Sequence, residues 1–340
     1  MSLDPLLISI IVPVYNNPRD LRESLSALIG SSCSGSEIIV VDDGSTDDTP
    51  SVAAGMGVPV LRLAKNSGPS AARNFGVRHA RGEIIFFVDA DVVVMPGAVS
   101  RVVKTFNEQP DIDAVFGSYD VQPRIKGVIS QYRNLLHHFV HQKGNPDAST
   151  FWAGCGAIRR SAFEEIGGFD EKRFPRCIED IELGYRLRES HHRIFLDKGL
   201  HGTHLKRWTL RSMIRTDILC RACPWTRLIL ESKKAPQDLN LKRGQRLSVV
   251  MAGLAFLFLV LAPFRLELLK FSAGALAGMI VLNRDLYTFF FRQRGLFFTI
   301  ACIPLHLLYY LYSGLAFLYV WVEFHLRGAV AAQRKTERRI

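Results

Sequence analysis

The chain begins with a short apolar run followed by a helical pattern. Residues 7–14 read LISIIVPV, a continuous run rich in β-branched side chains, and the polar segment YNNP ends it. Leu21, Leu25 and Leu28 then recur at the spacing of one helix face. Short apolar runs predict buried strands, and spacings of three and four residues predict amphipathic helices. The pattern therefore indicates a strand and then a helix.

The same alternation continues to residue 119. Further strands are predicted at Glu37–Val41, 59–63, Glu83–Val88 and Ala114–Tyr119, and further helices at 69–80 and Pro96–Phe106. Strands that alternate with helices are typical of a parallel sheet with right-handed crossovers and helices on both faces. We therefore predict an α/β fold with a Rossmann-like nucleotide-binding sheet.

Polar side chains stand where these strands end. In chain order they are Tyr15 and Asn16, Asp42 and Asp43, Lys65 and Asn66, and Asp89 and Asp91. Ligands of open α/β sheets bind beyond the carboxyl ends of the strands, so these residues predict a site. Mg²⁺ or Mn²⁺ takes oxygen ligands, typically one or two carboxylates together with substrate phosphates. The Asp89/Asp91 pair, held by a buried strand, thus indicates a nucleotide-diphosphate site with a divalent metal.

Two common nucleotide-binding motifs are missing from the sequence. It contains no Gly-x-x-x-x-Gly-Lys-Ser/Thr loop, and no Gly-x-Gly-x-x-Gly follows the first strand. A P-loop enzyme and a dinucleotide dehydrogenase are therefore disfavoured. Arg73 is a candidate for contact with phosphate, although a lone arginine could equally form a surface ion pair.

The composition changes near Gly244, beyond which uncharged apolar runs follow one another. Residues 247–264 and 295–322 carry no Asp, Glu, Lys or Arg and are 18 and 28 residues long, whereas 271–283 is shorter. About 20 apolar residues are needed to span a bilayer as a helix, so we predict two or three membrane helices. Three crossings would place the basic tail outside, against the positive-inside rule, whereas a break at Pro304 would return it to the cytosol. The simple three-crossing arrangement is slightly favoured.

The charge distribution and the cysteines indicate where in the cell the protein lies. The net charge is +11, and residues 204–246 alone hold 11 Lys/Arg against three acidic residues. Beside apolar segments, such a surface indicates anionic lipid headgroups rather than nucleic acid. The start of the chain lacks the pattern of a signal peptide, and the cysteines form no zinc pattern. We expect an integral protein of the inner or plasma membrane with a cytoplasmic catalytic domain.

Several segments together resemble the successive motifs of family 2 glycosyltransferases with a GT-A fold. They are SIIVPVYNN, VVDDGSTDDT, NSGPSAARNFGVRHARGEIIFFVDADV, GCGAIRRSAFEEIGGFDE and EDIELGYRLR. The resemblance covers residues 7–230 in order. It implies a glycosyltransferase of the cell envelope that uses a nucleotide-sugar donor, with a UDP-sugar favoured.

The resemblance also implies roles for particular residues. It implies that Pro13, Tyr15 and Asp42 contact the nucleobase and ribose, with Asp43 beside them. It also implies that Asn66 and Arg73 lie along the nucleotide. Asp89 and Asp91 match the metal-binding pair, with Asp91 the direct ligand. Asp180 matches the catalytic base, with Glu179 adjacent.

The residues themselves give weaker support to Asp180. Glu179, Asp180 and Glu182 crowd one predicted helix start, where the helix dipole also stabilises acids for structural reasons. Near a metal and a diphosphate, one such carboxylate could take the proton of an acceptor hydroxyl, and in-line displacement would invert the anomeric configuration.

By the same resemblance, His204 lies near the diphosphate or metal, and Arg207 and Trp208 bracket the acceptor. Processive relatives carry Gln-x-x-Arg-Trp, but here His204 occupies the glutamine position, which argues against processive polymerisation. His137, His138 and His141 lie on a predicted amphipathic helix and are interpreted as surface or core residues.

The prediction is a membrane-anchored, metal-dependent, inverting glycosyltransferase with a lipidic acceptor such as a polyprenyl phosphate or a glycolipid. Its expected parts are a GT-A domain (1–203), basic interfacial helices (204–246), a membrane region (247–326) and a basic tail (327–340). Self-association is left open. The alternatives are a nucleotidyltransferase, which usually needs a glycine-rich phosphate loop, and a nucleotide-sugar sensor, which needs no catalytic base.

Overall fold

The computed structural model describes residues 8–232 and 243–337. The chain divides into two compact units, Met1–Arg207 and Trp208–Ile340. The first unit contains one eight-stranded sheet with helices on both faces, and the second unit is helical. The predicted α/β class is confirmed for the first unit.

The strands of the sheet are β1 (Ile8–Val14), β2 (Ser36–Asp42), β3 (Val60–Arg62), β4 (Ile84–Val88), β5 (Val92–Val94), β6 (Ala114–Tyr119), β7 (Cys155–Arg159) and β8 (Ile194–His204). Their order across the sheet is β3-β2-β1-β4-β7-β6-β8-β5. The carboxyl ends of β1, β2 and β4 are therefore neighbours, as the parallel alternation predicted.

The sheet is mixed rather than wholly parallel. β1 pairs in parallel with β2 and β4, but β7 is antiparallel to β4 and β6, and β5 is antiparallel to β8. Strands β1–β4, β6 and β8 run in one direction, and β5 and β7 run in the other. The prediction of a parallel sheet is thus right for the predicted strands β1–β4 and β6, whereas β5 and β7 make the sheet mixed. A strand such as β7, whose first four residues are all buried, has the same apolar pattern in either direction.

The helices of the first unit cover both faces of the sheet. They are α1 (Pro18–Ser31), α2 (Thr49–Gly55), α3 (Pro69–His79), α4 (Ala98–Glu108), α5 (Val128–Gln142), α6 (Arg160–Glu165) and α7 (Glu179–Glu189). One buried cluster joins β1 and β4 to α1 and α4, and a second joins them to α3, α6 and α7. Because β4 is buried along its whole length, the turn that follows it is held on a rigid base.

The second unit consists of helices. They are α8 (Leu210–Asp217), a π-helical segment (Ile218–Ala222), α9 (Cys223–Ser232), α10 (Arg243–Leu261), α11 (Leu268–Leu282) and α12 (Arg284–Glu337). The predicted basic region 204–246 falls mainly on α8, the π segment and α9, and its residues 233–242 lie outside the described residues.

Within the described residues, two helices are long and apolar enough to span a membrane. They are α10 and the segment Arg284–Arg327 of α12, whereas α11 is a shorter apolar helix of 15 residues. Helix α12 is interrupted at Gly295, where φ is +82°, and it continues through Pro304. The helix is therefore not broken at Pro304. The interruption lies instead at the start of the predicted run 295–322, because glycine adopts a positive φ without steric cost.

Buried polar side chains join the helices of this unit. Asn283 donates from Nδ2 to the Ser248 hydroxyl at 2.9 Å, and its Oδ1 accepts a hydrogen bond from the Tyr310 hydroxyl at 2.8 Å. The Tyr312 hydroxyl donates to the Asp217 carboxylate at 2.6 Å. Because buried polar groups are costly when unpaired, these contacts hold the helices in one register.

Candidate active site

A cavity of about 200 Å³ opens at the carboxyl ends of β1, β2 and β4. Five predicted site residues line it: Pro13, Tyr15, Asp43, Asp89 and Asp91. Pro69 and Ala72 of α3 also line it, and the sequence patterns had not singled them out. The structure therefore brings residues from three separate motifs to one pocket at the predicted edge of the sheet.

Asp42 and Asp43 occupy different surroundings although they are adjacent. Asp43 lines the cavity and accepts hydrogen bonds from the Ser67 and Gly68 amides at 2.7 and 2.8 Å. Asp42 is fully buried, and it accepts from the Ser45 amide at 3.0 Å. Asp43 is therefore part of the cavity wall, whereas Asp42 stabilises the loop that follows β2.

The loop before α3 depends on Gly68. Its φ is +97°, and a Cβ at this position would lie 2.2 Å from the Pro175 carbonyl oxygen. No side chain fits there, so glycine is required for the close approach that presents its amide to Asp43. Nearby, the predicted nucleotide contact Asn66 accepts a hydrogen bond from the Arg176 guanidinium at 2.5 Å.

Arg73 joins two acids that are far apart in the sequence. Its side chain is 4% exposed, and it donates to Asp89 at 2.7 Å and to Glu179 at 2.8 Å. These neighbouring carboxylates raise the pKa of Arg73 against the opposing effect of burial. The Arg73 guanidinium thus fixes Asp89 and Glu179, the first residue of α7. Its contact with phosphate stays a prediction.

Asp89 and Asp91 flank the turn between β4 and β5. The Asp91 carbonyl accepts from the Leu205 amide at 2.9 Å, and its carboxylate lies 3.6 Å from His204 Nε2. Burial opposes ionisation of Asp91, but His204 and Lys206 outweigh it and lower the pKa of its carboxyl. Asp91 thus remains an anion beside a histidine, while Asp89 is engaged by Arg73.

The residues around Asp91 could hold a divalent cation only together with ligands from outside the protein. Across residues 8–232 and 243–337, no group of three or more His, Cys, Asp or Glu side chains is placed to enclose a metal ion. Asp91, immediately before β5, and His204, at the end of the neighbouring strand β8, offer two protein ligands. Mg²⁺ and Mn²⁺ sites in nucleotide enzymes need no more, since phosphate and water complete the coordination shell.

Asp180 stands at the start of α7 beside Glu179, and the helix begins in a strained way. Ile178, immediately before it, has φ +54°, which is rare for a β-branched residue and is found mainly where surrounding packing enforces it. Asp180 accepts from the Ala153 and Ile181 amides at 3.3 and 2.8 Å. Burial, and then the neighbouring Glu179 charge, raise the pKa of Asp180 to about 7. Such a carboxyl group can bind and release a proton near neutral pH.

Tyr119, the last residue of β6, packs against His204 and Trp152. Its ring stacks on His204 with centroids 4.3 Å apart, and it also contacts Trp152 at 4.8 Å. Burial, and then Asp91, Asp89 and, more weakly, Asp180, raise the pKa of Tyr119. The sequence interpretation missed this residue, although its place at the end of a predicted strand could have identified it.

The remaining predicted residues have separate positions. His204 is the last residue of β8, Arg207 is exposed at the end of the first unit, and Trp208 is a buried residue of the second unit. His137 and His141 contact Trp152 with ring centroids 5.1 and 5.7 Å away. The histidines of α5 are thus packed next to the site rather than spread over a surface.

The architecture matches known structures. It is similar to that of the mannosyltransferase PcManGT from Pyrobaculum calidifontis, solved in complex with GDP-Man and Mn²⁺, with a TM-score of 0.57. That likeness covers 93% of this chain and 88% of the other, at 19% sequence identity, so it concerns the fold. The curled mixed sheet is thus like that of the GT-A fold.

The sequence comparisons give the family. The family model described as glycosyl transferase family 2 matches residues 9–167, and the chain therefore carries a domain of that family, as its motifs predicted. It is 29% identical over 200 residues to the uncharacterized glycosyltransferase RP339 of Rickettsia prowazekii, a match that covers 53% of this chain and 58% of that protein. It is 30% identical over 226 residues to the pre-mycofactocin glycosyltransferase of Mycobacterium tuberculosis, covering 60% of this chain and 45% of that protein. The match thus spans about half the length of these curated relatives.

Proposed function

We propose that this protein is an inverting, metal-dependent glycosyltransferase that moves a sugar from a nucleotide-diphosphate sugar to a lipid-linked acceptor. The observation that carries the proposal is that Arg73 joins Asp89, which lines the cavity with Asp91, to Glu179, the neighbour of Asp180. This link supports a single site that contains both donor-binding and proton-accepting groups. The glycosyltransferase relatives and the fold neighbour solved with GDP-Man and Mn²⁺ support the same chemistry.

The cavity suits the nucleoside part of such a donor. Tyr15 is 44% exposed at its rim, so its ring is available to stack on a base. Pro13 and Asp43 form the wall beside it. We infer a UDP- or GDP-sugar, because both carry the base, ribose and diphosphate that this edge of the sheet would accommodate.

Asp91 and His204 are the residues that would hold Mg²⁺ or Mn²⁺. When bound, such an ion would stabilise the negative charge of the departing nucleoside diphosphate. Asp89 contributes by anchoring Arg73, which also holds Glu179 at the start of α7. In this way Arg73 fixes the donor side of the site relative to Asp180, the neighbour of Glu179.

Asp180 serves as the general base in this proposal. Its two amide contacts orient the carboxylate, and its pKa of about 7 suits proton transfer at neutral pH. It takes the proton of the acceptor hydroxyl as that oxygen attacks the anomeric carbon opposite the leaving diphosphate. Attack from the opposite side inverts the configuration.

A pH profile follows from the raised pKa of Asp180. The protonated carboxyl cannot accept a proton, so we expect kcat/KM to rise about tenfold per pH unit below pH 7 and to level off above it. Initial rates between pH 5 and 9 in the presence of Mn²⁺ measure this. The residual rate of an Asp180→Asn variant should lack this rise, and a wild-type profile that is flat from pH 5 to 8 would contradict the assignment.

The acceptor side of the proposal depends on the second unit. Helix α10 exposes Phe256, Leu257, Leu259 and Val260, and α12 exposes Leu315, Phe317 and Leu318. Apolar exposure of this extent on helices long enough to span a bilayer supports a membrane setting. An enzyme held at a membrane surface would meet acceptors that reside there. A glycolipid offers the sugar hydroxyl from which Asp180 takes the proton, whereas a polyprenyl phosphate would attack through a phosphate oxygen, which is mostly ionised at neutral pH.

Replacement of Asp91 tests the metal part of the proposal. We expect Asp91→Ala to lose the Mn²⁺-dependent part of donor affinity, because His204 alone is a poor site for a hard cation. Equilibrium binding of UDP- and GDP-sugars with Mn²⁺ and with EDTA measures the difference. Asp48→Ala removes an exposed acid outside the cavity and should leave the effect of Mn²⁺ on donor affinity unchanged. Full retention of the Mn²⁺ effect in Asp91→Ala would exclude this residue as a ligand.

A further inference from the structure

A series of aromatic ring contacts extends from α5 to the proposed metal ligand His204. Tyr119 lies over His204 with centroids 4.3 Å apart and ring planes inclined by 12°. His137 also contacts Tyr119, with centroids 4.6 Å apart and ring planes inclined by 45°, and His141 lies 4.0 Å from His137. One face of the His204 ring is therefore covered by Tyr119, which is itself packed against α5.

The backbone fixes the position of both stacked residues. Tyr119 pairs with Gly202 in the β6–β8 register, and His204 pairs with Val92 in the β8–β5 register. His138 Nδ1 lies 2.7 Å from the Tyr119 carbonyl oxygen, which ties the end of β6 to α5. The two rings are thus brought face to face by the sheet itself.

An imidazole on a β-strand can still rotate about its Cβ–Cγ bond, and rotation would turn Nε2 away from Asp91. A flat ring packed against its face opposes that rotation. With Tyr119 in place, His204 Nε2 lies 3.6 Å from the Asp91 carboxylate. Residues that orient a metal ligand typically influence metal affinity by about 10- to 100-fold.

We propose that Tyr119 is a positioning residue that holds the His204 imidazole in the orientation needed to bind a divalent cation together with Asp91. The inference rests on the proposed function, since it presumes that Asp91 and His204 bind the metal. It assigns the effect to the ring of Tyr119 and not to its hydroxyl group.

Mn²⁺ binding in the presence of UDP or GDP tests the inference without any need for turnover. Free Mn²⁺ is followed by electron paramagnetic resonance for the wild type, Tyr119→Phe and Tyr119→Leu. We expect Tyr119→Leu to bind Mn²⁺ about 10-fold more weakly and Tyr119→Phe to stay within about 2-fold of the wild type. Phe106→Leu removes a buried aromatic ring from α4 of the same unit and should leave Mn²⁺ affinity unchanged.

A double variant shows whether Tyr119 acts through His204. Once His204→Ala is present, adding Tyr119→Leu should weaken Mn²⁺ binding no further. A full additional loss in the double variant would overturn the inference, as would Tyr119→Phe losing tenfold, because that variant keeps the ring. Tyr119→Met, which keeps apolar bulk but lacks the flat ring, takes the place of Tyr119→Leu if that variant fails to fold, and wild-type Mn²⁺ affinity in it would overturn the inference. A wild type without nucleotide-linked Mn²⁺ binding would overturn the metal site itself, whereas normal wild-type binding with an additive Tyr119→Leu effect would overturn only the role of Tyr119.

Discussion

Asp180→Asn is expected to lower the rate of sugar transfer by about 10²- to 10⁴-fold while donor affinity stays within about 2-fold, the scale of a lost general base. The amide side chain has nearly the same shape, and its oxygen can still accept from the Ala153 or Ile181 amide. It cannot take a proton from the acceptor. The measurement is kcat for transfer together with an equilibrium Kd for the donor nucleotide.

A matched substitution separates chemistry from a general effect of removing charge. Asp147→Asn alters an exposed acid that pairs with Arg188 at 2.9 Å, and it should leave both kcat and donor affinity unchanged. If Asp180→Asn weakened donor binding as much as it slowed transfer, Asp180 would be a donor-binding or structural residue instead of the base.

Arg73→Met is expected to destabilise the first unit by about 3–5 kcal/mol, because it leaves the carboxylates of Asp89 and Glu179 without their shared cation in a buried setting. The loss should appear in the midpoint of urea unfolding. Arg81→Met makes the same substitution in an exposed pair with Glu37 and should cost at most about 1 kcal/mol. Equal, small losses in both variants would show that Arg73 is not the bridge described here.

Much of the sheet could be predicted because burial alone specifies it. The first and last residues of the strand Ala114–Tyr119 were both predicted correctly, and β4 was predicted from its uninterrupted apolar run. Strand direction is a different matter. Cys155–Arg159 enters antiparallel between β4 and β6, and no local residue pattern distinguishes that arrangement from a parallel one.

The helical region shows a similar limit. The apolar runs predicted where long helices form, but the position of the break was not predicted. Proline lacks an amide hydrogen and can still be accommodated within a helix, as at Pro304, whereas Gly295 leaves helical geometry altogether. Which of the two interrupts a helix depends on the packing around it.

The sequence predicted which residues lie at the sheet edge, but it did not predict which side chains contact one another there. The residues at strand ends were identified from the alternation of the chain, because parallel strands present their carboxyl ends together. The bridge from Arg73 to Glu179 spans 106 residues and depends on tertiary packing. Tyr119 was overlooked because an aromatic residue at a strand end usually serves only the core.

The central claim is that sugar passes from a nucleotide donor to a membrane lipid, and a transfer assay tests it most directly. The full-length protein is incubated with labelled UDP- and GDP-sugars, a lipid extract of the source membranes and Mn²⁺, and label in the organic phase is counted. We predict label in the lipid phase with at least one donor, abolished by EDTA and reduced at least about 10²-fold by Asp180→Asn. Absence of lipid label with every donor, or equal labelling by Asp180→Asn, would contradict the account.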